Sequence, residues 1–262
     1  MLACRRRQIR PQAVSYKLGK KPARTGAIKL RFAAYADVAA LPTPPGVFGH
    51  AGLISSWPMF ANDQYGDCVW AGAAHETMLL TKEAGNTITF TDADVLSDYA
   101  AVTSFNSSDP STDQGTDLQA AASYRRKTGI IDATGHRHTV ASYLALEPGN
   151  IQDILLAAYL FVCGVGLQLP FSALDQAAKG QVWDVVQGSP NEGGHYVPLF
   201  GRQADGLLVF VSWGAIQTAT QRFVQTYCDE AIAYLSQEDL VNQKSPDGFD
   251  YATLTADLAR LA

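Results

Sequence analysis

Cysteines and long apolar runs are both scarce in this sequence. Only four cysteines occur among 262 residues, and their spacing does not match that of a structural zinc site, so we expect reduced thiols. The longest apolar run, residues 154–170, is interrupted by Gly164 and Gly166 and is not expected to cross a membrane. The N terminus has consecutive arginines but neither an apolar segment nor a cleavage site, which argues against a signal peptide. We therefore expect a cytoplasmic location, no membrane association, and neither a metal nor another cofactor.

Acidic residues are absent from residues 1–36, which contain ten Lys and Arg, so the remaining chain has a net charge of −15. Such a basic arm can bind neighbouring subunits of a larger assembly, fold back on its own acidic body, or stay solvated. Nucleic acid remains open as a partner but is less favoured, because the arm has few aromatic residues for base stacking. We predict three parts: a basic N-terminal arm (1–40), a body (41–240) and a C-terminal amphipathic helix (241–262).

The pattern along the chain predicts helices first and antiparallel strands later, which indicates an α+β fold. One helix is predicted from Cys68 to about Lys82, and a short strand from Thr87 to Phe90. Thr91 and Thr116 are predicted to cap the next two helices. A fourth helix is expected in "NIQDILLAAYLF", strands in "GVGLQL", "HYVPLFG", "LLVFVSW" and "AIAYLS", and a last helix with Tyr251, Leu254, Leu258 and Leu261 on one face.

Cys68 stands out in the stretch "NDQYGDCVWAGAAHE", because it lies at the start of a predicted helix. A helix N terminus favours the thiolate form of a cysteine, and the free N–H at that end can stabilise an oxyanion. Cys68 is therefore a candidate nucleophile. The alternative is a small apolar residue buried at a helix start.

His195 is the best candidate base among five histidines. It follows Gly193 and Gly194 and begins a predicted strand, so its ring can project into a cleft past which substrate or backbone can run. His75 is two helical turns from Cys68, about 10 Å by rise alone, which is too far for direct proton transfer. The other three lie in a Pro/Gly-rich loop (His50) or form a pair without further metal ligands (His136 and His138).

Taken in order, residues 41–240 resemble papain-like cysteine peptidases. "LPTPPGVFGHAGLISSW…NDQYGDCVWAGAA" is similar to the start of that family and its nucleophile helix. "FTDADVLSDYA" and "GTDLQAAASYRRKTGI" are similar to its next two helices, and "GGHYVPLFGRQADGLLVFVSWG" to its His strand and Ser-Trp-Gly strand. The resemblance implies a two-lobed fold, with an N-terminal helical lobe and a C-terminal antiparallel sheet. It also implies Cys68 as nucleophile, His195 as base, and a peptide or protein as substrate.

The sequence departs from the family at the two supporting positions. Asn62 stands where the family has its oxyanion glutamine, and Gln64, only four residues before Cys68, is the alternative donor. Val211 stands where the family has the asparagine that orients the histidine.

Val211, Ser212 and Trp213 together mark that orienting position. We expect Val211 to lie opposite His195 on the adjacent strand, roughly 5 Å away. Ser212 could replace the asparagine only if the register slipped by one residue, which would swap the faces of the strand. Trp213 is expected either in the core or as a lid over His195.

Two functional hypotheses remain. The first is a cysteine hydrolase, a peptidase or amidase, that uses a Cys68–His195 dyad of weak or lost activity; cell-wall peptide is one substrate considered. The second is a catalytically degenerate structural module, docked by its basic arm into a larger assembly such as a phage virion, which would place it in the virion.

Overall fold

The computed structural model describes residues 16–235 and 250–261, and its centre is a seven-stranded antiparallel sheet with the order β4-β9-β5-β6-β7-β8 and β1 beside β6. The strands of this sheet are β1 (Phe48–Gly49), β4 (Ser142–Leu146), β5 (Val162–Pro170), β6 (Asn191–Arg202), β7 (Leu208–Ser212), β8 (Ala215–Ala219) and β9 (Cys228–Leu235). A separate hairpin consists of β2 (Ile130–Ile131) and β3 (Arg137–His138).

Helices cover the two faces of this sheet. One face packs against α1 (Cys68–Glu83), α2 (Asp92–Thr103) and α3 (Leu118–Lys127). The other packs against α4 (Ile151–Leu160), α5 (Phe171–Ala178), α6 (Gln221–Tyr227) and α7 (Tyr251–Leu261). The predicted α+β class is therefore confirmed. None of the helices in the described ranges is long and apolar enough to span a membrane.

Glycine and alanine let α1 approach the sheet closely. A side chain at Gly72 would lie 2.6 Å from the ring of Tyr196 in β6, so only glycine fits there. Ala71, Ala73 and Ala74 are buried on the same helix. This close contact places the first turn of α1 against the start of β6.

A buried ion pair joins α1, α3 and the sheet. Glu76 accepts a hydrogen bond from the Tyr196 hydroxyl at 2.6 Å and pairs with Arg125 at 2.6 Å. The Arg125 guanidinium also lies 3.9 Å from the centre of the Tyr234 ring. All four side chains are buried. Removing one partner of the ion pair would therefore leave an unpaired buried charge and lower the stability of the fold.

Local signals predicted most of the elements, with two errors. The predicted helices at Cys68, Thr91 and Asn150 are confirmed, and Thr91 forms a reciprocal capping box with Asp94. The predicted strand Thr87–Phe90 is wrong, because no ladder partner lies beside this segment within the described residues. The predicted Thr116 cap is also wrong: Asp117 caps α3, and the Thr116 hydroxyl instead accepts a hydrogen bond from the Trp70 indole at 3.0 Å.

The described part of the predicted arm, residues 16–40, lies on the body of the protein. Phe32 and Tyr35 are buried in the core cluster with Leu144 and Leu156. Arg24 and Arg31 form ion pairs with Asp117 and Glu147. Residues 1–15 and 236–249 lie outside the described residues, as do the side chains of Tyr251, Leu258 and Leu261, whereas Leu254 is buried in the core.

Candidate active site

Cys68 is the first residue of α1 and is almost fully buried. Burial raises the pKa of its thiol, and the nearby backbone N–H groups of Tyr196, from β6, and of Gly19, from the N-terminal arm, offset only part of this rise. Tyr196 directly follows His195, so the close packing of α1 against β6 brings the predicted nucleophile to the strand segment that carries the predicted base.

The His195 ring is held on one edge and one face. Its Nε2 lies 2.8 Å from Ser212 Oγ, and its plane stacks on Trp213 with ring centres 4.3 Å apart. Its Nδ1 is buried and has no hydrogen-bond partner among the described residues. The ring is thus oriented from one side, with one nitrogen left for a reacting group.

The expectation that Val211 lies opposite His195 is wrong. The ladder between β6 and β7 pairs Leu199 with Phe210 and then shifts at a bulge before Gly201. In this register Val211 faces the other way, into an apolar cluster with Trp57 and Phe200. Ser212 faces His195 instead, so the register slip required for a serine substitute is present.

Asn62, one of the two predicted oxyanion donors, has both of its amide hydrogens engaged by other groups. The Asn62 Nδ2 group uses its two hydrogens on the Tyr65 carbonyl and on Asp67 Oδ1, both at 3.0 Å. Gln64 is exposed on the turn before the helix. Because the first N–H groups of a helix have no intrahelical acceptor, the start of α1 is the better oxyanion donor.

A segment of the arm fills the cleft beside Cys68. We call residues 16–21 the strap. On the helical side of the cleft, the Lys17 N–H donates to the Asn62 carbonyl at 3.2 Å. The Thr116 N–H donates to the Gly19 carbonyl at 2.6 Å, and the Thr116 carbonyl accepts from the Lys21 N–H at 2.9 Å. On the sheet side, Gly194 O accepts from the N–H groups of Gly19 and Lys20 at 3.1 and 3.0 Å. The strap is bound through its main chain, as an added β-strand is bound.

Glycines allow the strap to pass this close. A side chain on Gly19 would come within 1.7 Å of the carbonyl oxygen of Gly66, and one on Gly194 within 2.1 Å of the carbonyl oxygen of Lys20. Tyr16 stacks on Trp213 at 4.2 Å, and the Trp213 indole donates to the Lys17 carbonyl. The strap therefore covers the cysteine and the lid over the histidine together.

Burial keeps Cys68 and His195 neutral. It raises the pKa of the Cys68 thiol to about 12, and it lowers the pKa of the His195 imidazole from 6.5 to about 3. Burial also raises the pKa of Asp67, next to Cys68, well above 3.8, which favours its neutral form. A thiolate–imidazolium pair is thus disfavoured while the cleft is closed and dry.

Three of the other histidines contact groups away from Cys68. His75 contacts the Pro58 carbonyl at 2.8 Å, His50 pairs with Glu83, and His138 with Asp132. Within the described residues, no group of three or more His, Cys, Asp or Glu side chains is placed to hold a metal ion. A cavity of about 480 Å³ lies elsewhere, beside Phe48, Leu80 and Tyr159, and does not include Cys68 or His195.

Sequence reasoning missed Lys20, Asp229 and Glu230. Lys20 is buried between the two carboxylates although 209 residues separate it from Asp229. The signals were present as a Gly-Lys-Lys run in the arm and an Asp-Glu pair in the last strand. Nothing in the sequence pattern joins two segments so far apart.

Solved structures of cysteine proteases are similar to this chain in fold. Xylellain, a cysteine protease from Xylella fastidiosa, is 11% identical with a TM-score of 0.62, over 87% of this chain and 99% of that one. ProCathepsin B S9 from Trypanosoma congolense is 11% identical with a TM-score of 0.56, over 85% and 87% of the two chains. The Carica candamarcensis cysteine protease CMS1MS2, in complex with E-64, is 12% identical with a TM-score of 0.54, over 73% and 99%.

No protein-family model matches the sequence, and no match was found among curated proteins. The structural likeness shows that the chain has a papain-like fold, as the sequence resemblance predicted.

Proposed function

We propose that this chain is a cysteine peptidase held in a latent state by its own strap. The observation that supports this most strongly is the extended strap, bound through its main chain to both walls of the cleft directly over Cys68. A cleft that binds extended backbone in this way is suited to a polypeptide substrate.

Each group has a defined role in the proposed reaction. Once the strap leaves, water reaches the site, so the burial that keeps Cys68 and His195 neutral is reduced and proton transfer from thiol to imidazole becomes favourable. The Cys68 thiolate attacks the substrate carbonyl carbon, and the N–H groups at the start of α1 stabilise the oxyanion. The His195 imidazolium then gives its proton to the leaving amine, and water hydrolyses the thioester. Ser212 and Trp213 hold the ring in place throughout.

Two substitutions within the strap are expected to displace it from the cleft. Gly19→Leu introduces a side chain that clashes with Gly66, and Lys20→Ala removes the buried ion pairs. We call this double substitution the arm-release variant. Its matched control is Gly52→Leu with Lys29→Ala, since Gly52 has open space around it and Lys29 is exposed.

A peptide library tests the proposal. The library is made by cleavage after glutamate, so that internal lysines remain, and new termini are identified by mass spectrometry. The arm-release variant is expected to create new termini. Its Cys68→Ala form is expected to create none, and the control variant to match the wild type. An arm-release variant that has a reactive Cys68 but cleaves no peptide would contradict the proposal.

The second candidate is a module without catalytic activity that is docked into a larger assembly. The sealed, neutral Cys68 and His195 favour it. Against it, Lys20, Arg24 and Arg31 of the arm are already paired with carboxylates of the same chain, which leaves fewer charges to bind a neighbour. An inert arm-release variant would favour this module.

A further inference from the structure

Lys20 occupies a closed pocket next to the cleft position of Gly19. Its side chain is fully buried, and its ammonium group lies 2.9 Å from Asp229 and 3.2 Å from Glu230. The Lys21 carbonyl accepts a third bond at 2.9 Å. The three N–H donors of an ammonium group therefore meet three acceptors, two of them carboxylates.

The sheet supplies the glycine wall and both carboxylates of the pocket. Gly166 in β5 forms one wall, where an added side chain would lie 2.4 Å from Lys20 Cε. Gln168, two residues along β5, donates to Asp229 at 2.7 Å and fixes that carboxylate from outside. Asp229 and Glu230 belong to β9, the neighbouring strand. Gly166 leaves room for a long side chain, and Asp229 and Glu230 provide negative charge at the end of the pocket. Together they favour a long basic side chain.

We infer that, once the strap has left, this pocket binds a lysine side chain of the polypeptide substrate. This inference rests on the proposed function and adds a substrate class to it. Lys20 of the strap then occupies the place that a lysine of the substrate would take. Two partly buried carboxylates side by side attract a cation, which gives a lysine its advantage over an apolar residue.

Peptide binding tests the inference apart from catalysis. The probe is a fluorescent heptapeptide with the sequence YKLGKKP, and its partner peptide has norleucine in place of the fifth residue. The protein is the arm-release variant with Cys68→Ala, which cannot turn over. Fluorescence anisotropy is expected to show the lysine peptide binding about 30-fold or more tightly than the norleucine peptide. Adding Asp229→Asn and Glu230→Gln to the protein is expected to remove this preference, whereas Asp175→Asn on the exposed helix α5 is expected to keep it.

The outcomes separate the two proposals. Equal binding of the two peptides, or no binding of either to a variant whose parent has a reactive Cys68, overturns the lysine pocket. A lysine preference in binding with no cleavage by the catalytic form supports the pocket and contradicts the peptidase. Cleavage at sites with no preference for a neighbouring lysine supports the peptidase and contradicts the pocket.

Discussion

Ser212 Oγ lies 2.8 Å from His195 Nε2, so a serine holds the histidine of this site, while the preceding Val211 points away into the apolar cluster with Trp57 and Phe200. The sequence predicted weak activity because a valine would face the histidine. In the structure Val211 does not face His195, so this reason for weak activity is removed. The Ser212 hydroxyl can accept a hydrogen bond from the imidazole N–H. It does so from the residue after the position where the family has its asparagine.

Ser212→Ala in the arm-release variant is expected to lower kcat on the order of 100-fold with little change in KM. The hydroxyl fixes the ring and its tautomer without touching substrate, and its loss is milder than the roughly 10⁴-fold loss seen when a serine triad loses its orienting carboxylate. Steady-state kinetics on a peptide cleaved by the arm-release variant measure this. A rise in KM at constant kcat would mean that Ser212 has a different role.

Val211→Asn is expected to destabilise the protein by about 1–3 kcal/mol without raising activity. The new amide would be buried among apolar side chains without a partner. Urea unfolding and turnover of the arm-release variant provide the two measurements. Higher turnover in Val211→Asn would instead place position 211 beside His195.

Alkylation of Cys68 by iodoacetamide is expected to be at least about 100-fold faster in the arm-release variant than in the wild type at pH 7. Thiolate is the reactive form, and burial raises the pKa of Cys68 to about 12. The rate in the wild type should thus rise only toward very alkaline pH, whereas the variant should react near neutrality. Peptide mapping gives the rate at each cysteine, with the buried Cys163 as internal reference and the Gly52→Leu, Lys29→Ala control at the wild-type rate.

Glu76→Gln is expected to lower the free energy of unfolding by about 3–5 kcal/mol, because it leaves the buried Arg125 without its counterion. The double variant Glu76→Gln, Arg125→Met should recover part of this loss. Asp175→Ala, which breaks the exposed pair with Lys179, should cost less than about 0.5 kcal/mol. Urea unfolding of the four proteins checks this, and a Glu76 effect as small as that of Asp175 would contradict it.

His75 is expected to make the protein less stable as the pH falls from 6.5 to 4. Burial lowers the pKa of the folded-state ring from 6.5 to about 4, so in this window only the unfolded chain takes up the proton. The free energy of unfolding should fall by about 3 kcal/mol over this range from His75 alone. His75→Gln lacks this titration, so its urea-derived stability should depend less on pH by that amount, while contributions of His195 and the carboxyl groups cancel in the comparison. Parallel profiles for the two proteins would show that His75 does not titrate this way.

The sequence predicted the parts of the site that depend on local signals. Cys68 begins its helix because Gly66 and Asp67 end the preceding turn, and Thr91 and Asn150 cap their helices with side chains a few residues away. The strand Thr87–Phe90 failed because a strand needs a partner, and periodicity alone does not reveal whether one is present.

Ser212 and the strap could not be predicted from local signals. The bulge at Phe200 sets the register of β6 against β7, and it lets Phe200 stack on Trp57 at 5.3 Å, a contact between segments far apart in the chain. The basic composition indicated an arm that binds an acidic surface. The acidic residues that hold the arm are Asp229 and Glu230 in the last strand. They are about 200 residues from the arm in the sequence, so local patterns do not reveal the contact.

The anchoring of residues 24–35 has a consequence for how the cleft opens. Because Arg24, Phe32 and Tyr35 remain attached to the body, a strap that leaves the cleft stays tethered a few residues away and competes with incoming peptides as an intramolecular ligand. Short flexible tethers give effective concentrations in the millimolar range, which a dilute peptide cannot match. A single break in the backbone between the strap and Arg24 would turn this persistent competitor into one that diffuses away, and dilution would then keep the cleft open.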